Sequence, residues 1–99
     1  MKLQMHSVHF DADKKLIDFI QKKVDKLETF YDRIIEGEVY LRLINGGNNE
    51  NKVVEIKLFL PGTSLFAKEQ ARSFEAAADM TVEALRRQIK KTKQKQSTF

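Results

Sequence analysis

Apolar residues in this chain recur at two spacings, and the order in which the spacings alternate leaves few folds open. Met1, Leu3 and Met5 alternate with Lys2, Gln4 and His6, the period of a half-buried strand. Leu16, Phe19, Ile20, Val24 and Leu27 then recur three and four apart, which places them on one stripe of a helix. Asp13 stands just ahead as an N-cap, because its carboxylate accepts from the free N–H groups of the first turn. Period two returns three times, in Val39, Leu41 and Leu43, in Val54, Ile56, Leu58 and Leu60, and in Leu65, Ala67 and Ala71. A second helical stripe follows Ser73, its cap, and comprises Phe74, Ala77, Ala78, Val82, Leu85 and Ile89.

The breaks between these runs carry turn chemistry. Gly46-Gly47-Asn48-Asn49 tolerates positive φ and suits a hairpin loop, and Pro61-Gly62 ends a strand because proline has no N–H for the ladder. The resulting order, β-α-β-β-β-α, predicts an α+β two-layer sandwich: a four-stranded, mostly antiparallel sheet with two helices on one face. A chain of 99 residues is expected to form one domain, over residues 1–95, with 96–99 as a disordered tail. Glu69 falls on the core side of the fourth strand, which reads as the sheet's rim. The second helical stripe fades after Ile89, so the last turns are expected to project beyond the core or fray.

Charge is distributed unevenly. Arg86, Arg87, Lys90, Lys91, Lys93 and Lys95 fall within ten positions that contain no acid. Without these six, the chain's 18 basic residues drop to 12, against 14 acidic ones, so the net charge of +4 is a local feature. Glu75, Asp79 and Glu83 precede the basic block, an arrangement that suits the helix dipole. Two lysines would satisfy the dipole, however, and six mutually repelling cations favour a polyanion contact that releases counterions. In the first helix Lys15, Lys22 and Lys26 share one flank, with Lys23 at the edge of the apolar stripe, and Asp18, Asp25 and Glu28 occupy the opposite flank. Two readings stay open for that flank: a face toward a polyanion, or a solvated face laced by Asp18–Lys22 and Lys22–Asp25 pairs.

Other constellations point away from chemistry. No apolar run reaches the ~18–20 residues of a membrane span, the first residues lack a signal peptide's apolar stretch, and the cytoplasm is the expected location. The absence of cysteine excludes disulfides and thiolate sites. His6 and His9 sit three apart on a strand, pointing to opposite faces, so no metal site is expected. Gly46-Gly47 lacks the lysine and helix entry of a phosphate loop. Ser64, Ser73 and Asp11 form no triad, and neither an enzymatic activity nor a cofactor or small-molecule substrate is expected. Tyr40, Phe59 and Phe66 should emerge on the sheet face away from the helices, open to base stacking, protein contact or simple cross-strand packing.

Three groups of residues carry a wider likeness. They are Lys23-Val24-Asp25-Lys26-Leu27 with Phe30-Tyr31-Asp32-Arg33-Ile34, Leu58-Phe59-Leu60-Pro61-Gly62 with Leu65-Phe66-Ala67, and Ala76-Ala77-Ala78-Asp79 leading to Leu85-Arg86-Arg87-Gln88-Ile89-Lys90-Lys91-Thr92-Lys93. In this order the chain resembles the ribosome hibernation promoting factor family, which includes the ribosome-associated inhibitor A proteins, nearly end to end. The resemblance implies a cytoplasmic, non-enzymatic translation inhibitor that binds the 30S subunit and the 70S ribosome. Family members occupy the decoding region and tRNA channel when growth slows and keep ribosomes inactive but intact. It implies contacts to 16S ribosomal RNA phosphates from Lys23, Lys26, Arg33, Arg87, Lys90, Lys91, Lys93 and Lys95, which match basic family positions. Lys22 and Arg86 complete the candidate RNA-binding set, although acids are common there among relatives, and Glu69 replaces a small residue. Long family members continue into a second domain that pairs ribosomes. This chain resembles the short form, so ribosome dimers would need a further protein partner.

Two other classes of function are compatible with the residues. A general double-stranded RNA-binding module also uses a β-β-β-α core with a basic helix. A regulatory protein-interaction domain would instead use the sheet face around Tyr40, Phe59 and Phe66, as the sigma-factor modulation once ascribed to the family would require.

Overall fold

The computed structural model describes residues 1–44 and 51–96, the last two by backbone alone. Its elements are β1 (Lys2–Val8), α1 (Lys14–Phe30), β2 (Glu36–Leu43), β3 (Lys52–Leu60), β4 (Thr63–Ala71) and α2 (Phe74–Gln96). The strands lie side by side in the order β1-β2-β3-β4. β1 and β2 run parallel, a pairing that needs a crossover, and α1 supplies it. β2–β3 and β3–β4 are antiparallel hairpins, so the sheet is mixed and mostly antiparallel, in the predicted order. The expected glycine-rich loop at 46–49 lies outside the described residues.

Local chemistry sets the element ends. The Leu16 N–H donates to Asp13 Oδ1 at 2.8 Å, and the Ala76 N–H donates to Ser73 Oγ at 3.1 Å, so both predicted caps form. Between β3 and β4 the turn has only Pro61 and Gly62, with Leu60 paired to Thr63. Proline holds its φ negative, and Gly62 takes the positive φ of 78° that closes the turn.

Register then assembles the core. Met5, Val39, Ile56 and Ala67 lie in one row across the four strands, and Leu3, Gly37, Leu58 and Leu65 in the next. A Cβ on Gly37 would come within 2.9 Å of Leu3 Cδ1 and 3.0 Å of Leu58 Cδ2, so the bare backbone leaves room for both leucines. From α1, Leu16, Ile20, Val24 and Leu27 are buried against this face; from α2, Ala77, Ala78, Leu85 and Ile89 are. Phe10, on the connection into α1, stacks on Phe74 at the start of α2 with centroids 4.8 Å apart.

Several features differ from or extend the expectations. Thr81 is fully buried under α2, where its hydroxyl donates to the Ala77 carbonyl at 2.7 Å with the Val54 carbonyl at 3.3 Å. Val53 is buried although it faces away from the helices, flanked in the sheet by Arg42 and Gln70. Glu69 is half-buried on the helix side of β4, an edge strand, in keeping with a rim position. Gln88 reaches from α2 to that edge and donates to the Phe66 carbonyl at 2.8 Å. Ile89 is the last buried residue of α2, yet the helix continues through Gln96, one residue past the domain end expected at 95; residues 97–99 lie outside the described residues. The last turns therefore run on as helix beyond the core, and the molecule measures 49 × 24 × 19 Å.

Truncating the fully buried Leu85 to alanine should cost about 3 kcal/mol, because it removes core contacts and leaves a cavity. Asp13→Ala should cost about 1 kcal/mol through loss of the α1 cap. Urea unfolding of the two variants should show this ranking with unchanged slopes.

Candidate nucleic-acid interface

α1 and α2 lie next to each other on the sheet, and their seam opens outward. Lys23, Lys26 and Phe30 share one side of α1 by their three- and four-residue spacing, and Asp79, Val82, Glu83 and Arg86 do the same on α2. Leu27, buried, and Val82, half-buried, lie between the two rows of charge.

The first stretch of the seam is partly neutralised, with Lys26 outside its ion pairs. Lys23 Nζ lies 2.9 Å from Asp79 Oδ1 and also 5.4 Å from the centroid of the Phe19 ring. This pair joins the two helices, but both partners are partly exposed, so its contribution to stability is at most about 1 kcal/mol. Arg86 grips Glu83 through both carboxylate oxygens, Nη2 to Oε1 at 2.7 Å and Nε to Oε2 at 3.2 Å. That hydrogen bond from Arg86, with the charges of Arg86 and Arg87 behind it, holds the Glu83 carboxyl below its usual value. The same bond to Glu83 raises Arg86.

Further along, the seam changes character. Phe30, Arg86, Lys90, Lys93 and Gln94 surround a hollow of about 420 Å³, and no carboxylate is among the described residues lining it. The Lys93 ammonium donates to the Phe30 carbonyl at 3.0 Å and lies 4.5 Å from the centroid of the Phe30 ring.

The sequence-predicted residues divide accordingly. Lys23, Lys26, Arg86, Lys90 and Lys93 are brought together on the seam. Arg87 lies in a separate depression on the far flank of α2 with Glu69, Asp79, Met80 and Glu83. Lys91 is exposed beside Lys90, and Arg33 is exposed in the turn after α1. Lys22 is exposed on α1 without an ion pair among the described residues. The pairs with Asp18 and Asp25 that one of the two open readings called for do not form, and Asp25 accepts from Gln21 Nε2 at 2.8 Å. Lys95 continues the helix by its backbone, and its side chain lies outside the described residues. Phe30, Asp79 and Glu83 were not among the expected site residues. Phe30 could have been found from its position four residues after Lys26 and seven after Lys23, which puts it on their side of the helix.

The opposite sheet face is largely self-engaged. Tyr40 stacks on His6 with centroids 4.8 Å apart, and Arg42 lies 5.3 Å from the Tyr40 ring centroid while pairing with Glu55 at 2.5 Å. Lys57 lies 5.2 Å from the Phe59 centroid. Phe66 alone of the three predicted aromatics is exposed, at 50%. Among the described residues no group of three His, Asp or Glu side chains is placed to hold a metal ion, and no helix is long and apolar enough to cross a membrane.

Comparison with known proteins places these features in a family. The family described as "Sigma 54 modulation protein / S30EA ribosomal protein" matches residues 3–97. A Pseudomonas putida protein named "Ribosome hibernation promoting factor" is 26% identical over 99 residues, which cover all of this chain and 93% of its own. The "Ribosome hibernation promotion factor" of Deinococcus radiodurans is 28% identical over 91 residues, 91% of this chain but 48% of that protein, so the chain spans about half of its length. Among solved structures, a ribosomal subunit interface protein from Coxiella burnetii superposes with a TM-score of 0.83 at 22% identity, over 94% of this chain and 98% of its own. The N-terminal domain of Thermus thermophilus Protein Y gives 0.81 at 24% identity, over 93% and 99%. Both share the fold.

The Arg86–Glu83 bond gives a directional expectation. Because the Glu83 carboxyl titrates below its ordinary value of 4.5, the ion pair is intact above that pH and is lost as pH falls through the lowered value. In Arg86→Ala the Glu83 midpoint should rise, measured by carboxyl-carbon NMR titration.

Proposed function

The chain belongs to the sigma 54 modulation protein / S30EA ribosomal protein family, and from that premise we propose that it is a ribosome-binding inhibitor of translation that acts by occupying a site, without catalysis. The relatives named for ribosome hibernation support this reading, and so does the ribosomal subunit interface protein that shares the fold. The observation that carries it is the basic end of α2. Lys90, Lys91 and Lys93 are exposed on helical turns past the last buried residue, where a folded core supports them and phosphates can reach them.

The finer reading places the domain as a wedge in the decoding and tRNA channel of the small subunit. The seam lysines and arginines would contact 16S ribosomal RNA phosphates on the 30S subunit and the 70S ribosome, in the cytoplasm. A narrow body of 49 × 24 × 19 Å with cations along one side suits a channel walled by phosphate. Each phosphate neutralised releases counterions, so affinity should fall steeply with salt. A second reading, protein contact through the sheet face, draws on the exposure of Phe66.

Co-sedimentation with 30S subunits and 70S ribosomes across a salt series tests the proposal, with excess duplex RNA as competitor. Saturable binding near one per ribosome that resists the duplex supports it. Loss of binding to the duplex would favour a general double-stranded RNA module, and no co-sedimentation at low salt would discard the ribosome reading. Lys90→Glu/Lys91→Glu should weaken ribosome binding by about tenfold or more while leaving the thermal melt by circular dichroism nearly unchanged. Phe59→Ala/Phe66→Ala should leave ribosome binding intact; the opposite pattern would move the function to the sheet face.

A further inference from the structure

We propose that the hollow at the basic end of the helix seam is a binding site for an unpaired RNA nucleotide, with its base on the Phe30 ring and its phosphate on Lys90 and Lys93. The inference rests on the ribosome-binding reading but goes past it, since phosphate contact alone needs no aromatic ring and no hollow.

Three observations converge on this site. The first is charge. In the adjoining stretch of the seam Asp79 pairs with Lys23 and Glu83 with Arg86, leaving Lys26, whereas the hollow gathers Lys90 and Lys93 with no carboxylate among the described residues that line it. A phosphate entering the seam is therefore drawn to this end. The second is shape. The depression of about 420 Å³ opens to solvent and is lined by the Phe30 ring together with Lys90 and Lys93, so an aromatic surface and two cations face one space that an unpaired nucleotide can enter.

The third is the state of the Phe30 ring. Phe30 is half-buried, and the ammonium of the exposed Lys93 lies 4.5 Å from its centroid. A ring face that accepts a cation from a flexible, exposed side chain is a face a planar base can reach. Base–aromatic stacking is stronger than an exposed cation–π contact, so the base displaces the ammonium and the freed Lys93 turns to the phosphate. Lys90 and Lys93 are then grouped around one anion, and the ring supplies the sequence-tolerant contact that every base can make.

The site predicts a preference for single-stranded over duplex RNA. The first test uses the wild-type protein and a uridine octanucleotide carrying 5-iodouridine, which photocrosslinks to aromatic rings stacked on it. The crosslink is expected in the tryptic peptide Leu27–Arg33, at Phe30. A crosslink on the sheet face, at Tyr40, Phe59 or Phe66, overturns the assignment. The second test measures affinities for the octanucleotide and for an RNA hairpin duplex. Phe30→Leu, which keeps an apolar side chain, should lose roughly tenfold on the octanucleotide and little on the duplex, and Phe30→Tyr should retain binding. Equal affinity of wild type and Phe30→Leu for the octanucleotide, or equally tight binding of a poly-glutamate peptide, overturns it. Co-sedimentation with 30S subunits separates the two levels of the argument. If wild type and Phe30→Leu bind equally and Lys90→Glu does not, the stacking site fails and the ribosome reading stands. If wild type fails to bind 30S subunits yet crosslinks at Phe30, the ribosome reading fails and the nucleotide site stands.

Discussion

The seating of α2 on the sheet is the constraint on which the other features depend. Ala77 and Ala78 put almost no side chain between the helix and the strands, and the buried Thr81 hydroxyl lies within reach of both its own helix and Val54 of β3. Small residues allow this close approach, and the hydroxyl remains satisfied because a helical threonine can donate to the carbonyl four residues back. With its first half held this way, and Gln88 tied to the edge strand, the helix axis is set before Lys90, Lys91 and Lys93 are reached. The last turns then run on past the core because nothing apolar remains to bend or bury them. Their exposure follows directly from where the helix is anchored.

That anchoring also determines which charges meet. Asp79 is one turn before Glu83, and both face the seam, so they meet Lys23 across it and Arg86 along it. Asp79 and Glu83 therefore cancel the cations nearest them. Attraction for an anion is left to the end of the helix, where Lys90, Lys91 and Lys93 have no acidic partner among the described residues. Of the ten basic candidates, Lys23, Lys26, Arg86, Lys90 and Lys93 form a graded surface, with acids among them at one end and none among the described residues at the other. On the sheet face Arg42 pairs with Glu55, Lys57 lies over Phe59, and Phe66 is the one well-exposed ring of the three expected there.

Much of this was readable from residue spacing. The strands at Val39 and Val54, the helices at Leu16 and Phe74 and the caps Asp13 and Ser73 are local or periodic, and periodicity survives folding because it records which side of each element is buried. Thr81 escaped because a hydroxyl does not belong to an apolar stripe, and its burial depends on carbonyls from two elements. Phe30 escaped because it lies at the end of α1 and becomes part of a site only when Lys90 and Lys93 arrive from the other helix. Spacing left open whether Lys22 would pair with Asp18 or Asp25 or stay solvated; in the structure it is exposed and Asp25 accepts from Gln21.

The sequence by itself therefore determined the order of elements, the buried side of each, the turn at Pro61-Gly62 and the block of cations after Glu83, since each depends on residues close together in the chain. Only the tertiary structure decided which cations share a surface, which are cancelled, and that an aromatic ring is set among them. The physical reason is that electrostatic and stacking contacts between α1 and α2 act over a few ångströms between residues about 60 positions apart, such as Lys93 and Phe30. That proximity exists only after both helices have packed on the same sheet.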